Sequence, residues 1–105
     1  MSKRAVIAVD IQNDYFDQGR FPLIGMDQAA ANARRVIEAA RAGGDMVVHV
    51  RHEFTDPAMP FFNPGTEGVR IHDTVAPAEG EPVVTKNHVN AFRDTNLKQT
   101  LDAAG

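Results

Sequence analysis

The sequence predicts an α/β fold built on an open, parallel sheet. Two short apolar runs, Ala5–Val9 and Met46–Val50, flank a segment with helical periodicity. A third run, Pro82–Thr85, follows a long stretch rich in Gly and Pro. Each run gives way at once to polar residues, as strands do where a sheet presents its carboxyl edge to a ligand.

The elements follow in order. Ala5–Val9 is continuously apolar and closes on Asp10, which suits a strand buried on both faces. Residues 11–25, with Gly19, Pro22 and Gly25, read as a loop. A helix is expected over Asp27–Arg41. Asp27 is its N-cap candidate, because a carboxylate there accepts from the free amides of the first turn. Ala29, Ala33, Val36, Ile37 and Ala40 recur at helical spacing and form its apolar face. Gly43 and Gly44 supply the stop. Met46–Val50, with three valines, is the second strand, so strand, helix and strand make a right-handed βαβ unit.

Residues 53–81, counted with Pro82 just beyond them, hold five of the six prolines. A structureless stretch of this length is more often functional than idle. Pro82–Thr85 is a short third strand ending at Lys86. Asp94 or Thr95 can cap a second helix carrying Leu97 and Leu101, with Gly105 a natural C-cap. Doubly wound sheets usually hold about five or six strands. The chain reads as unfinished.

At 105 residues it is one domain or a piece of one. Its composition, 43% hydrophobic and 24% charged, is ordinary for a globular protein. Net charge is −3 and the Lys and Arg residues are scattered, which argues against nucleic-acid and membrane-surface partners. Only five apolar residues follow Met1-Ser2-Lys3-Arg4, too few for a signal peptide, so a cytoplasmic protein is expected. There is no cysteine, hence no disulfide framework and no thiolate metal site.

Three strand ends carry groups capable of chemistry. The first offers Asp10, Gln12, Asn13 and Asp14; the second His49, Arg51 and His52; the third Lys86, Asn87, His88 and Asn90. Any one of them can be a solvated turn, but all three together point to a shared site. A carboxylate beside an ammonium can act as a base toward a thiol or water, while the ammonium stabilises developing negative charge. The alternative is a plain salt bridge between strand ends, which spacing alone does not separate from the first reading.

These residues carry a family resemblance. AVIAVDIQNDYF (residues 5–16) resembles the opening strand and loop of the isochorismatase-like hydrolases. VVHVRHEF (47–54) resembles their second strand, and GEPVVTKNHVNAFRDTNL (80–97) their third strand and the loop after it. The resemblance implies a three-layer αβα fold on a doubly wound, mostly parallel sheet, of which this chain supplies the first half. It also implies an Asp–Lys–Cys triad, with Asp10 and Lys86 as the first two members. The cysteine follows a fourth strand in that family, so truncation explains its absence here more simply than replacement does.

The implied reaction is hydrolysis of an amide or related C–N bond of a small molecule. Two alternatives stay open: vinyl-ether hydrolysis, which needs no cysteine, and a non-catalytic truncated module. Substrate-binding candidates are Gln12, Asn13, Phe16, Arg51, Asn90 and Phe92. For Gln12 and Asn13 a loop hydrogen-bonding role, for Phe16 and Phe92 a core role, and for Arg51 a solvated surface position, are the competing readings. The family's nicotinamidase branch binds zinc through an Asp-x-His that aligns with His52 and Phe54. Phenylalanine cannot ligate, so neither a metal nor any other cofactor is expected. Family members usually form homo-oligomers, and the same is expected here.

Overall fold

The computed structural model describes residues 4–56 and 58–104. In chain order it contains β1 (Ala5–Val9), α1 (Met26–Ala42), β2 (Met46–His52), β3 (Val83–Lys86) and α2 (Leu97–Ala104). Gly105, expected as a helix cap, lies outside the described residues. The sheet is all parallel with order β1-β2-β3, and its register pairs Val9 with Val50 and His52 with Lys86. No helix among the described residues is long and apolar enough to cross a membrane.

The sheet lies between two helical layers. On one side Ile37 and Ala40 of α1 pack with Val47 of β2 and with Val75 from the long loop. On the other, Leu97 of α2 packs with Val48, Val50 and Val84. Alternation along a strand sends neighbouring side chains to opposite faces, which is why Val47 and Val48 join different clusters. Full burial of one such aliphatic side chain is worth about 1.5–3 kcal/mol.

Several expectations change. α1 begins after Gly25, which adopts φ +77 and offers no side-chain cap, so Asp27 is not the N-cap. It sits instead in the first turn, where a carboxylate still favours the positive end of the helix. The buried face of α1 is Ala30, Ile37 and Ala40, with Ala33 at its edge; Ala29 is exposed and Val36 is 55% exposed. At the other end Gly44 adopts φ +78 and turns the chain out of the helix as expected.

β1 is not buried on both faces. Val6 and Ala8 pack toward α1, whereas Ile7 is 37% and Val9 44% exposed. The reason is its place at the edge of the sheet, since α2 covers only β2 and β3 on that side. β2 runs two residues further than the apolar pattern, through Arg51 and His52.

Nor is the 53–81 stretch structureless. It forms 3-10 turns at Glu67–Val69 and Asp73–Val75 and an antiparallel bridge from Ile71 to Gln12. Val69, Val75 and Phe62 from this stretch are all buried. Before α2 the cap position falls to Asn96, whose carbonyl accepts the Thr100 amide at 2.8 Å; Thr95, one residue earlier, accepts the Leu97 amide at 3.3 Å, and Asp94 pairs with His88.

Candidate functional site

The site forms where β1 and β3 end on either side of β2. The Asp10 amide still bonds the Val50 carbonyl at 2.9 Å, but the backbone then turns to φ +61. A non-glycine residue with positive φ is uncommon, costs on the order of 1 kcal/mol or more, and tends to mark a functional site. Past this turn the carboxylate reaches Lys86, with Asp10 Oδ2 and Lys86 Nζ 3.4 Å apart. The lysine side chain is 3% exposed and the aspartate 26%.

Burying an ammonium is costly unless its donors are used. Here all three are. Besides Asp10, Nζ donates to the Nδ1 of His52 at 3.0 Å and to the carbonyl of His88 at 3.2 Å. His52 stands opposite Lys86 in the strand register, so the two side chains leave the sheet on the same face. Burial, and then the Lys86 charge, push the His52 imidazole below its usual range, with Asp10 acting in the opposite direction. The imidazole is thereby kept neutral, as an acceptor at Nδ1 requires. Two buried polar atoms at this spot lack a hydrogen-bond partner among the described residues: Asp10 Oδ1 and His52 Nε2. Orphans of this kind are rare in folded proteins, and here they stand beside the one buried lysine of the site.

An aromatic wall adjoins the pair. The His52 ring meets Phe54 edge-on at 4.3 Å and lies 6.0 Å from Phe62. Tyr15 packs on Phe62 at 4.7 Å, and Phe61 stacks on Phe21 at 4.7 Å. Burial, and then the nearby Asp10 charge, raise the Tyr15 hydroxyl above its usual range.

Of the residues expected at the site, Asp10 and Lys86 come together. The others take separate places. Gln12 is fully buried and spends its amide on backbone, donating to the carbonyls of His52 and Val69 and accepting the His52 N–H at 2.7 Å. Asn13 donates to the Glu67 carbonyl at 2.8 Å. Both are in the loop-binding arrangement. Phe16 is buried and stacks on His72 at 3.7 Å. Arg51 starts from the sheet face opposite to Lys86, where its Nε donates to the Thr85 hydroxyl at 2.9 Å. It therefore does not join the pair. Asn90 accepts from the Phe92 amide, and Phe92 is 53% exposed, so neither walls a pocket formed by the described residues.

The sequence placed His52 at a polar strand end without giving it a role, and it did not single out Tyr15 or the Phe54, Phe61 and Phe62 rings as site residues. Alternation onward from Val50 could have placed His52 on the Lys86 face. No local signal locates Phe61 and Phe62. Two clefts, of about 620 and 430 Å³, flank the 13–20 and 66–77 loops, and neither is lined by Asp10 or Lys86. In the larger cleft the buried carboxylate of Asp14 is already bonded to backbone. The strand-end pair is therefore the better candidate. No group of three or more His, Asp or Glu side chains among the described residues is placed to hold a metal ion.

Fold and site together define an open, parallel α/β protein with a carboxylate–ammonium pair at its strand ends. The chain belongs to the isochorismatase family: the Isochorismatase domain model matches residues 4–105. An isochorismatase-family protein of Bacillus subtilis, YddQ, is 41% identical over 101 residues, which cover 96% of this chain and 56% of that protein. The N-carbamoylsarcosine amidase of an Arthrobacter species is 32% identical over 95% of this chain and 44% of its own length. The crystal structure of an isochorismatase-family protein from Oleispira antarctica superposes with a TM-score of 0.91 at 47% identity, covering 99% of this chain and 58% of that one. The chain thus spans about half the length of the curated relatives it matches.

Proposed function

We propose that the protein hydrolyses an amide or related C–N bond of a small molecule by an Asp–Lys–Cys mechanism. Asp10 and Lys86 supply the first two groups, and a cysteine outside these 105 residues supplies the third. The observation that carries this reading is the 3.4 Å contact of Asp10 with Lys86 at the strand ends. Among the described residues Oδ1 of Asp10 has no partner, which leaves one carboxylate oxygen to receive a proton. The likeness to an N-carbamoylsarcosine amidase supports C–N cleavage as the reaction class.

Asp10 takes the thiol proton, and the thiolate adds to the substrate carbonyl carbon. Lys86 stabilises the negative charge that develops. As the C–N bond breaks, Asp10 returns the proton to the departing nitrogen. Water then cleaves the thioester and regenerates the thiol. The scattered charge suits a small molecule better than a nucleic acid or a membrane. Assembly into a homo-oligomer is part of the same reading.

The test is kinetics in the whole protein against a panel of small amides and ureido compounds. Asp10→Asn and Lys86→Met are each expected to lower turnover by about 100-fold or more. Normal turnover in Asp10→Asn would end the proposal.

A further inference from the structure

We infer that His52 is the positioning residue of Lys86: its Nδ1 takes a hydrogen bond from Nζ, aims the ammonium at Asp10, and can do so only as a neutral imidazole. The catalytic consequence rests on the Asp–Lys reading above. The geometric claim does not.

Lysine is a point charge on a flexible stem, and it has no planar fork to orient it. Where Nζ sits is decided by its acceptors. Two hydrogen-bond it, His52 at 3.0 Å and the His88 carbonyl at 3.2 Å, while Asp10 stands as its ion-pair partner at 3.4 Å. His52 is also held on more sides than Asp10 is. The Gln12 amide grips its backbone at both N–H and carbonyl, with contacts of 2.7 and 2.8 Å. The edge of Phe54 fixes its ring, and the residue is 5% exposed. Asp10, by contrast, keeps 26% of its side chain exposed.

As a core filler His52 is a poor choice. Its Nε2 is buried without a partner among the described residues, a loss that an aliphatic side chain would avoid. Its Nδ1 contact is what the position gains. The orphaned Nε2 also fixes the chemistry: with Nδ1 accepting, the single ring proton resides on Nε2. A second proton would make Nδ1 a donor facing an ammonium. The charged groups around the ring are Lys86 from β3, His88 from the loop beyond it, and Asp10 from the end of β1. Asp10 is the one anion among them, and its Oδ2 already serves Lys86. Phe54 and Phe62 on the remaining sides accept no charge. Protonation of His52 therefore releases Lys86 rather than adding a bond.

The experiment uses the whole protein labelled with 15N at histidine and lysine. Long-range 1H–15N spectra between pH 4.5 and 8 are expected to show His52 with its proton on Nε2 and an accepting Nδ1. Its titration midpoint should fall below the ordinary value near 6.5. A proton on Nδ1, or a charged ring at pH 6.5, overturns the inference without recourse to any variant. Two substitutions then separate positioning from packing. His52→Leu keeps bulk but removes the acceptor, and should shift the Lys86 Nζ resonance. His52→Asn places an oxygen near the former Nδ1 and should restore it.

In kinetics, His52→Leu should lower kcat by about 10- to 100-fold with KM little changed, as misplacement of a catalytic group does. His52→Asn should recover most of kcat and flatten the acid limb of the pH profile. An unshifted Lys86 resonance in His52→Leu overturns the inference, as does an acid limb unchanged in His52→Asn. If Asp10→Asn turns over normally, the Asp–Lys reading falls separately, and the resonance measurements still decide whether His52 holds Lys86.

Discussion

At Asp14 a buried carboxylate organises two loops. Its Oδ1 accepts the Arg20 amide at 3.1 Å and its Oδ2 the Phe62 amide at 2.7 Å. The second bond joins segments 48 residues apart and holds Phe62 at φ +53 beside His52. Asp14→Ala would leave two amides without partners, at about 1–3 kcal/mol each. Gly68 approaches so closely that an added Cβ would fall on the Asp14 carboxylate. Gly68→Ala is therefore expected to destabilise the protein by about 1–3 kcal/mol. Urea unfolding measures both variants, and a midpoint unchanged in either would disprove the arrangement. None of this was legible beforehand: Asp14 stood in the sequence only as one more polar residue after the first strand. The strand-end places of Asp10 and Lys86 were legible because they are local properties of the chain, whereas their pairing in one site was implied by the family resemblance. The hold of His52 on Lys86 depends on strand register, and the tie from Asp14 to Phe62 on a contact across the molecule.

The helix α1 shows how far periodicity carries an element. A helical period finds α1 within one residue at each end, yet several rotations of its apolar stripe fit the same alanine-rich sequence. What selects Ala30 over Ala29, and Ile37 over Val36, is what the helix packs against: Val47 of β2 and Val75 of the long loop. Adjacent residues give the test. Ile37→Ala is expected to cost about 2–5 kcal/mol, whereas Val36→Ala should stay within about 0.5 kcal/mol. Equal losses in thermal or urea unfolding would mean that the helix is rotated. The loop after β2 failed as a prediction for a related reason. Its prolines and glycines do mark irregular backbone, but Phe62, Val69 and Val75 fasten that backbone into the core. No local period announces anchors spaced this way. Strand β2 was read two residues short because Arg51 and His52 are polar, and polarity at a strand end hides the continuing ladder.

Across the whole molecule, one carboxylate ties the α1 layer to the sheet. Glu81, just ahead of β3, takes both a Nε and a terminal guanidinium nitrogen of Arg41, each at 2.7 Å. It also accepts the Ala78 amide and bonds the Nε2 of buried His49 on β2, each at 2.8 Å. The Arg41 bonds, helped by Ala78 and His49, hold its carboxyl down at about 2, against burial that opposes them. A carboxyl lowered on folding releases its proton more readily in the folded state, so the unfolded chain binds more protons at low pH. The stabilisation is complete above the ordinary carboxyl value of 4.5 and is lost as pH falls from there through about 2. The shift is worth at most about 3 kcal/mol. With the Arg41 side chain 34% exposed, solvent screening should leave about 1–2 kcal/mol of it. Glu81→Gln is accordingly expected to lower the stability by about that amount at pH 7. The difference between variant and parent should shrink as urea unfolding is repeated at pH 4, 3 and 2, and it should be smaller in high salt, where ion pairs are screened. A gap that stays constant down to pH 2 would mean that Glu81 acts through packing rather than through its charge, and that the helical layer is fastened to the sheet by apolar contacts alone.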